Sequence, residues 1–204
     1  MRCSKCGKKI TEPIYIGGVP YGPECARKIG LRRTKAKKIS PMVVVDIEGA
    51  PLQCSTERLK EHIERIGFDD VVNVKISYAP KQHYFYWEGA QQLAAATCDS
   101  HGNIVFYPVM KEYTEEEVLE VLTHEYGHAV RCQLVKGDAL KELKKMYLNA
   151  RRTGRFVTHY ASRNMEEFFA ECFHHYVHKP DVLRKVNPSM YNWLRDRIFN
   201  GREF

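Results

Sequence analysis

The sequence predicts an α+β fold, chiefly from the order of its periodic segments. Strand-like and helix-like segments alternate from Met42 to about Val109, and beyond Tyr113 the pattern is mostly helical. Strands followed by a run of helices are typical of the α+β class. The 204 residues are enough for one sizeable core and a small appendage, and the sequence contains no internal repeat.

The strands and the first helix of the main body are predicted from short segments between residues 42 and 109. The run "MVVVDIEG" is rich in β-branched residues, and "VVNVKISYA" alternates apolar and polar residues as a half-buried strand does. Between them, "STERLKEHIERIG" has apolar residues at helical spacing and ends at Gly67. The segment "LAAATCDSHGNIVFYPV" predicts two strands joined by a turn at "DSHGN", where Gly102 and Asn103 supply the turn chemistry.

Helices are predicted throughout the second half of the chain. Thr114 and Glu117 have the spacing of a capping box, which places a helix start immediately after Tyr113. Pro180 closes a later helix, because a proline in a helix interior removes a backbone hydrogen bond. The four helices are predicted at residues 114–137, 138–151, 164–179 and 188–200.

The N-terminal segment differs from the rest in charge and composition. Residues 1–38 hold eleven Lys or Arg and two Glu, a balance of +9, whereas the whole chain carries +7, so the remainder is slightly acidic. We therefore predict a small basic, cysteine-containing module at residues 1–38, whose linker is "LRRTKAKKISP" (31–41), and a main domain at 39–204. Such a basic patch can hold nucleic acid or an acidic partner, and a merely solvated tail is the alternative.

Composition also bears on the cellular compartment. No stretch approaches the roughly 18–20 apolar residues of a membrane helix, and the start "MRCSKCGKK" lacks the apolar core of a signal peptide. The seven cysteines are unevenly placed, which argues against a secreted disulfide framework and favours metal ligation plus buried thiols. These features favour a cytoplasmic protein without membrane contact.

The stretch "VLTHEYGHAVRC", residues 121–132, carries the strongest functional signal. On a helix, His124 and His128 are about one turn apart and face the same way, so both can bind one zinc ion. Glu125 leaves the helix at about 100° from His124, where it can take a proton from a zinc-activated water and pass it to the leaving amine. The alternative is an ordinary helix whose two histidines are packed and hydrogen-bonded.

A catalytic zinc site needs a third protein ligand. The sequence limits which class of zinc peptidase could supply it. A metzincin would need a glycine and a histidine where this chain has Arg131 and Leu134, and no suitable downstream aspartate motif occurs. A gluzincin takes a glutamate from a later helix. The segment "NMEEFFAECFHHY", residues 164–176, offers Glu167 and Glu171 on one helix face, with phenylalanines to pack that helix.

The spacing of the glutamates and of Tyr160 along the chain suggests a role for each of them. Glu167 is the expected ligand, and Glu171, one turn later, is expected to accept a hydrogen bond from a ligand histidine. Capping is the alternative role for Glu167, because Asn164 and Glu167 also have capping-box spacing. Glu166 points about 100° away and is the weaker choice. Tyr160 can reach the same cleft, where its hydroxyl would stabilise an oxyanion, although packing is the default role of a tyrosine.

The segments "HEYGHAV" and "YASRNMEEFFAECFHHY" together resemble the zinc peptidase domain of the anthrax toxin lethal factor family, which includes the Pro-Pro endopeptidases. The resemblance covers roughly residues 104–178. It implies that Tyr160 assists at the oxyanion, that Glu167 is the third zinc ligand and that Glu171 supports a ligand. It also implies a zincin-like fold, in which a small mixed sheet has its edge strand above the zinc. The expected edge strand is "NIVFYP", residues 103–108, to which an extended peptide could add.

Three N-terminal cysteines form a second candidate metal group. Cys3 and Cys6 in "CSKC" and Cys25 in "YGPEC" resemble small treble-clef-like modules, in which thiolates bind a structural zinc. Such a site usually has four ligands. The fourth ligand is expected from Cys54, Glu24, a water or a neighbouring chain. Unligated thiols in a flexible arm are the alternative.

The other cysteines and a histidine cluster are not expected to bind metal. The three remaining cysteines are expected to be small buried residues: Cys98, Cys132 and Cys172. Three histidines near the end of the helix at 164–179 are expected to be exposed or cap-related: His174, His175 and His178.

Together these features predict a zinc-dependent endopeptidase that acts on a peptide or protein substrate. In this prediction His124, His128 and Glu167 hold the zinc and Glu125 is the general base. One alternative is a gluzincin that cleaves a specific regulator while its N-terminal module contacts nucleic acid. The other is a non-enzymatic binding protein that contains zinc.

Overall fold

The computed structural model describes residues 2–12, 14–16, 19–28 and 43–204. Its N-terminal part consists of two short antiparallel strands and one short helix: β1 (Ile14–Ile16), β2 (Val19–Tyr21) and α1 (Pro23–Lys28). The linker predicted at residues 31–41 lies outside the described residues. The boundary between a module at 1–38 and a domain at 39–204 therefore stays a prediction.

The main body confirms the α+β class, since strands dominate its first half and helices its second. The strands are β3 (Val43–Asp46), β4 (Val74–Tyr78), β5 (Tyr84–Trp87), β6 (Ala90–Leu93), β7 (Ala96–Cys98) and β8 (Asn103–Phe106). The helices are α2 (Thr56–Ile66), α3 (Glu115–Leu134), α4 (Gly137–Thr153), α5 (Met165–His178), α6 (Pro180–Val186) and α7 (Pro188–Trp193). Shorter 3-10 turns occupy Pro108–Glu112 and Tyr160–Ser162, and a π-helical turn occupies Leu194–Ile198. No helix in the described part of the chain is both long and apolar enough to cross a membrane.

Helix boundaries follow the predicted signals closely. The capping box of Thr114 and Glu117 is present at the start of α3, and α3 ends at Leu134 rather than Gly137. The sequence does not predict helix α6, because Pro180 is predicted only to end the preceding helix. Proline is also favoured in the first turn of a helix, where its missing N–H is not needed, and Pro180 occupies that position of α6.

The central sheet is mixed and has the strand order β3-β4-β8-β7. β3, β4 and β8 run parallel, and β7 is antiparallel to β8. The prediction that the strand within residues 103–108 forms the edge is wrong, because β8 lies between β4 and β7. The edge strand beside α3 is β7. Local periodicity identifies strands but does not fix their order in a sheet, and here the pairing of β8 with β4 leaves β7 on the outside.

The turn between β7 and β8 is the one predicted from the sequence. The Asp99 carboxylate accepts hydrogen bonds from the backbone N–H groups of His101 at 2.8 Å and Asn103 at 2.9 Å. Gly102 has a φ of +86°, and a β-carbon there would lie 2.0 Å from the carbonyl oxygen of Asn73. Only glycine fits this position, which anchors the β7–β8 hairpin next to β4.

The helices α3 and α5 approach closely, and this contact positions the candidate site. A β-carbon at Gly127 of α3 would lie 3.2 Å from the Ala170 Cα and 3.3 Å from the Phe173 Cβ of α5. On α5 the side chains of Phe168, Phe169 and Phe173 are fully buried. The phenylalanines of α5 are therefore core residues, as expected, and the glycine inside the HEYGH motif permits the short distance between the two helices.

A second hairpin, formed by β5 and β6, was not predicted. Its two-residue turn consists of Glu88 and Gly89, which have φ values of 51° and 77°. Two consecutive residues in the left-handed region give a turn that suits the twist of a hairpin. The hairpin carries three of the exposed large apolar side chains of the described residues: Tyr84, Tyr86 and Leu93.

Candidate metal centre

Three potential ligand atoms converge between α3 and α5. The Nε2 atoms of His124 and His128 are 3.2 Å apart, and each lies 3.2 Å from the Oε2 atom of Glu167. The three atoms therefore form a nearly equilateral triangle. The structure brings together the two histidines of one helix and a glutamate 39 positions after His128 along the chain.

Each candidate ligand is placed by a local feature of its helix. His124 and His128 lie one turn apart on α3 and share a face. Asn164 caps α5 by accepting a hydrogen bond from the backbone N–H of Glu167 at 2.8 Å. Capping by Asn164 and ligation by Glu167 are thus compatible, because the cap uses the backbone of Glu167 while its carboxylate reaches the imidazoles. Glu166 points elsewhere, and its carboxylate lies 3.4 Å from Arg131.

The triangle has the size that a small tetrahedral ion requires. Zinc bonds of about 2.0–2.1 Å in a tetrahedron place neighbouring ligand atoms roughly 3.3 Å apart, close to the 3.2 Å observed. Two imidazole nitrogens that face one another need a proton or a cation between them, since both are acceptors when deprotonated. Two imidazoles and one carboxylate are also a ligand set found in catalytic zinc sites. The residues therefore fit a zinc ion.

The charges around the triangle favour a positive ion. Burial alone would lower the pKa of His124, but hydrogen bonds to Glu167 and Glu171 outweigh it and raise the pKa to about 10. Burial alone would raise the pKa of Glu167, but its bonds to the two histidines hold that pKa below its usual range. Both shifts have the same electrostatic origin: buried carboxylates surround the imidazoles and stabilise positive charge there.

Glu171 and Thr158 lie behind the candidate ligand His124. The Oε1 atom of Glu171 lies 2.8 Å from the Nδ1 atom of His124, so the carboxylate can fix the ring with Nε2 toward the triangle. The other oxygen of Glu171 accepts a hydrogen bond from the Thr158 hydroxyl at 2.7 Å. Thr158 in turn accepts one from the backbone N–H of Ala161 at 3.1 Å. The Thr158 hydroxyl thereby links the turn that carries Tyr160 to Glu171, the carboxylate that contacts the His124 ring.

This connection predicts that Thr158→Val lowers zinc affinity about tenfold, because Glu171 loses the donor that orients it. Zinc affinity is measured by competition with a chromophoric chelator. Thr158→Ser is the matched control, since it keeps the hydroxyl, and it is expected to retain the native affinity. Equal affinities for the valine and serine variants would contradict a supporting role for the hydroxyl.

Glu125 points from α3 into a buried environment beside the triangle. Its side chain is 7 % exposed. Burial raises the pKa of Glu125, although the nearby His124 and His128 oppose the increase. A carboxylate with a raised pKa is a better base near neutral pH than an exposed one.

Tyr160 lies beside the centre, in the turn before α5. Its ring centroid is 6.2 Å from that of His124, and its hydroxyl oxygen accepts a hydrogen bond from Arg163 at 2.8 Å. Burial, with a contribution from the charge of Glu167, raises the pKa of Tyr160 to about 12. The hydroxyl therefore keeps its proton at neutral pH. Because Arg163 occupies a lone pair of the oxygen, that proton can be donated elsewhere.

The β5–β6 hairpin contacts the Tyr160 turn. The Trp87 ring meets the Tyr160 ring edge-on, with centroids 5.1 Å apart. Glu88 at the tip lies 3.2 Å from the Nε2 atom of His159, and the Arg163 guanidinium lies over the Phe85 ring at 5.0 Å. The hairpin and the turn therefore hold one another in place beside the candidate centre.

Two cavities, of about 430 and 410 Å³, meet at the candidate centre. Both are lined by His124, Glu125, Tyr160 and Phe85. The first continues toward the C-terminal end of α5, and the second continues along the edge strand β7 toward the N-terminal end of α5. The space beside Glu125 is therefore open on two sides, as a cleft that accepts an extended chain would be.

The sequence analysis did not predict several of the side chains that lie at the site. Phe85 and Trp87 were missed with their hairpin, although "HYFYWEGAQQL" contains a β-prone aromatic run before a turn dipeptide. Arg163 and Thr158 carry no motif, and only the fold shows their contacts. The prediction that His174 and His175 are exposed or cap-related is wrong, because both are buried, and the His174 ring lies 3.5 Å from Glu120 of α3.

The N-terminal cysteines also come together. The sulfur atoms of Cys3, Cys6 and Cys25 lie within 4.8 Å of one another. Among the described residues, neither Cys54 nor Glu24 belongs to this group. Three other cysteines were expected to be small buried residues. Cys172 is buried, whereas Cys98 and Cys132 are only partly buried.

A comparison with known protein families gives a match. The family model described as "Anthrax toxin lethal factor, N- and C-terminal domain" matches residues 96–197, which is half of the chain. The matched range begins at β7 and ends in the π-helical turn, so it contains the three candidate ligands, Glu125 and Tyr160. A search of curated proteins found no match.

Proposed function

The chain belongs to the anthrax toxin lethal factor family, and on this premise we propose that it is a zinc-dependent endopeptidase. The observation that carries the proposal is the triangle of His124, His128 and Glu167, whose 3.2 Å edges match a tetrahedral zinc ion. Bound zinc would supply Lewis-acid activation of a water molecule and of the scissile carbonyl.

Glu125 acts as general base and then as general acid. It accepts a proton from the attacking water and delivers it to the leaving amine. Its burial supports this role because it raises the pKa of Glu125. A carboxylate with a raised pKa holds a proton more readily, which suits a group that takes one from water and passes it to an amine. Its position in both cavities supports the role as well, since the scissile bond has to lie where the two cavities meet.

Tyr160 donates a hydrogen bond to the oxyanion that forms on the substrate. Arg163 holds the Tyr160 oxygen in place by donating to it at 2.8 Å, so no rearrangement of the hydroxyl is needed during the reaction. Preorganised donors of this kind stabilise developing negative charge more effectively than mobile water does.

Endopeptidase activity is favoured over removal of terminal residues, because the cleft continues on both sides of Glu125. The edge strand β7 lines the second cavity with Ala96, Thr97 and Cys98. A substrate in extended conformation can add to that edge through backbone hydrogen bonds. The peptide partner proposed for residues 103–108 is thus reassigned to β7.

The decisive experiment combines metal analysis with digestion of a peptide library. We expect the purified protein to hold zinc, to cut internal peptide bonds, to stop when zinc is chelated and to resume when zinc is returned. Absence of cleavage from every peptide at full zinc occupancy would contradict the proposal and favour a zinc-containing binding protein.

For Tyr160→Phe we expect kcat to fall by about ten- to a hundredfold while zinc content and KM change little, because the lost hydrogen bond forms only in the transition state. Steady-state kinetics on a peptide identified from the library measures both constants. Tyr191→Phe is a suitable control, since that hydroxyl lies on α7 and bonds the Glu203 carboxylate, outside both cavities. Native kcat in Tyr160→Phe would remove this residue from the reaction.

A further inference from the structure

The cluster of Cys3, Cys6 and Cys25 has no part in the proposed peptidase reaction. Its three sulfur atoms lie within 4.8 Å of one another, although Cys25 is 19 positions after Cys6. All three are free thiols. A disulfide joins only two sulfurs, so it cannot account for the convergence of three. A metal ion bound by thiolates requires such a convergence, with sulfur atoms roughly 3.8 Å apart around zinc.

The backbone around Cys3 has the form of a tight turn. The N–H of Gly7 donates to the Cys3 carbonyl at 2.8 Å, the N–H of Cys3 donates to the Lys8 carbonyl at 2.8 Å, and Gly7 has a φ of +71°. Backbone N–H groups, among them those of Gly22 and Cys6, also donate hydrogen bonds to the Cys3 sulfur. Donors of this kind stabilise a thiolate, which is the form of cysteine that binds metal.

Tyr21 supplies an independent sign that something is bound here. Its side chain is fully buried, and its hydroxyl has no hydrogen-bond partner among the described residues. A buried O–H without an acceptor is costly. An acceptor that the described residues do not supply is therefore expected beside Tyr21, and a ligand bound at the cysteine cluster can provide it.

The N-terminal part also has little apolar core of its own. Among its described residues, the buried apolar side chains are Cys3, Tyr21 and Ala26. Segments with so few buried side chains usually need a metal or disulfide to hold them together. An ion bound by Cys3, Cys6 and Cys25 would join the turn at residues 3–7 to α1.

We propose that Cys3, Cys6 and Cys25 bind one structural zinc ion through three thiolates, with a solvent molecule as the fourth ligand. Soft thiolate ligands select zinc over magnesium or calcium. The fourth position faces solvent because Cys6 is exposed and Cys25 only half-buried. No fourth cysteine, histidine, aspartate or glutamate among the described residues joins the group.

Substitution with cobalt tests the proposal, because cobalt thiolates absorb intensely in the near ultraviolet whereas histidine–carboxylate sites do not. The full chain is expected to bind two cobalt ions and to show this charge-transfer band. Cys6→Ser should lose the band and one of the two ions. Glu167→Gln should lose the other ion and keep the band, which separates this site from the proposed catalytic centre.

Cys54→Ser is the matched control. Cys54 is a free cysteine that the sequence offered as a possible fourth ligand, and it lies outside the cluster. It should keep both ions and the band. Loss of the band in Cys54→Ser would overturn the three-thiolate assignment, and so would absence of the band from the unaltered chain.

The rate of alkylation by iodoacetamide, read by mass spectrometry, tests the same site without any substitution. Exposed Cys6 should react about tenfold or more faster once zinc is chelated. Equal rates with and without the chelator would overturn the proposal, as would a disulfide among the three cysteines in the zinc-loaded protein.

Discussion

The Glu125→Gln variant is expected to lose at least about a hundredfold in kcat while binding zinc as tightly as the native chain. Glutamine has the same shape as glutamate but cannot take up a proton at neutral pH. The carboxylate of Glu125 is not among the three converging ligand atoms, so its replacement leaves the zinc ligands intact. Turnover is measured on a peptide from the library digest, and zinc content by elemental analysis.

Glu116→Gln provides the control for this experiment. Glu116 lies on the same helix, and its side chain is exposed, so the variant makes the same chemical change away from the cleft. It should cleave peptide at the native rate. If Glu125→Gln also cleaved at the native rate, Glu125 would not be the general base and the proposed mechanism would be wrong.

The second large effect is expected from Glu167→Gln, which should weaken zinc binding by more than about a hundredfold and abolish cleavage. The amide carries no negative charge, so it binds the metal poorly and no longer offsets the positive charge of the centre. Competition with a chromophoric chelator gives the affinity. Circular dichroism shows whether the variant is folded, which separates loss of a ligand from loss of the fold.

Glu166→Gln is the neighbouring control. Glu166 precedes the proposed ligand on α5, and its carboxylate pairs with Arg131 at 3.4 Å rather than with the imidazoles. Its removal should cost little zinc affinity, because the Glu166 carboxylate is not among the three converging atoms. Native zinc affinity in folded Glu167→Gln would show that another group is the third ligand.

Much of the candidate site was predictable because its spacing is local. His124, Glu125 and His128 lie within five residues of one helix, so the helical repeat alone places them. Glu167 lies on another helix, and its placement depended on a second local pattern and on the family resemblance. The structure brings it to the two histidines, while the role of each residue in binding and catalysis stays a prediction.

The errors concern contacts that no local pattern encodes. The edge strand was misplaced because the order of strands depends on long-range pairing, here of β8 with β4. His174 and His175 were expected to be exposed or cap-related because they lie near the end of their helix, but packing against α3 buries them, with the His174 ring 3.5 Å from Glu120. Thr158 acts through two hydrogen bonds to groups 3 and 13 residues away, and a single threonine carries no sign of them.

The short distance between α3 and α5 at Gly127 affects more than packing. Any larger residue there would push Ala170 outward, and Glu167, on the same rigid helix, would move with it. The triangle would then widen beyond 3.2 Å and suit ions with longer bonds than zinc. Ion preference in this protein would thus depend on the volume of a residue that touches no ion, so Gly127→Ala or Gly127→Val should shift relative affinity from zinc toward cadmium.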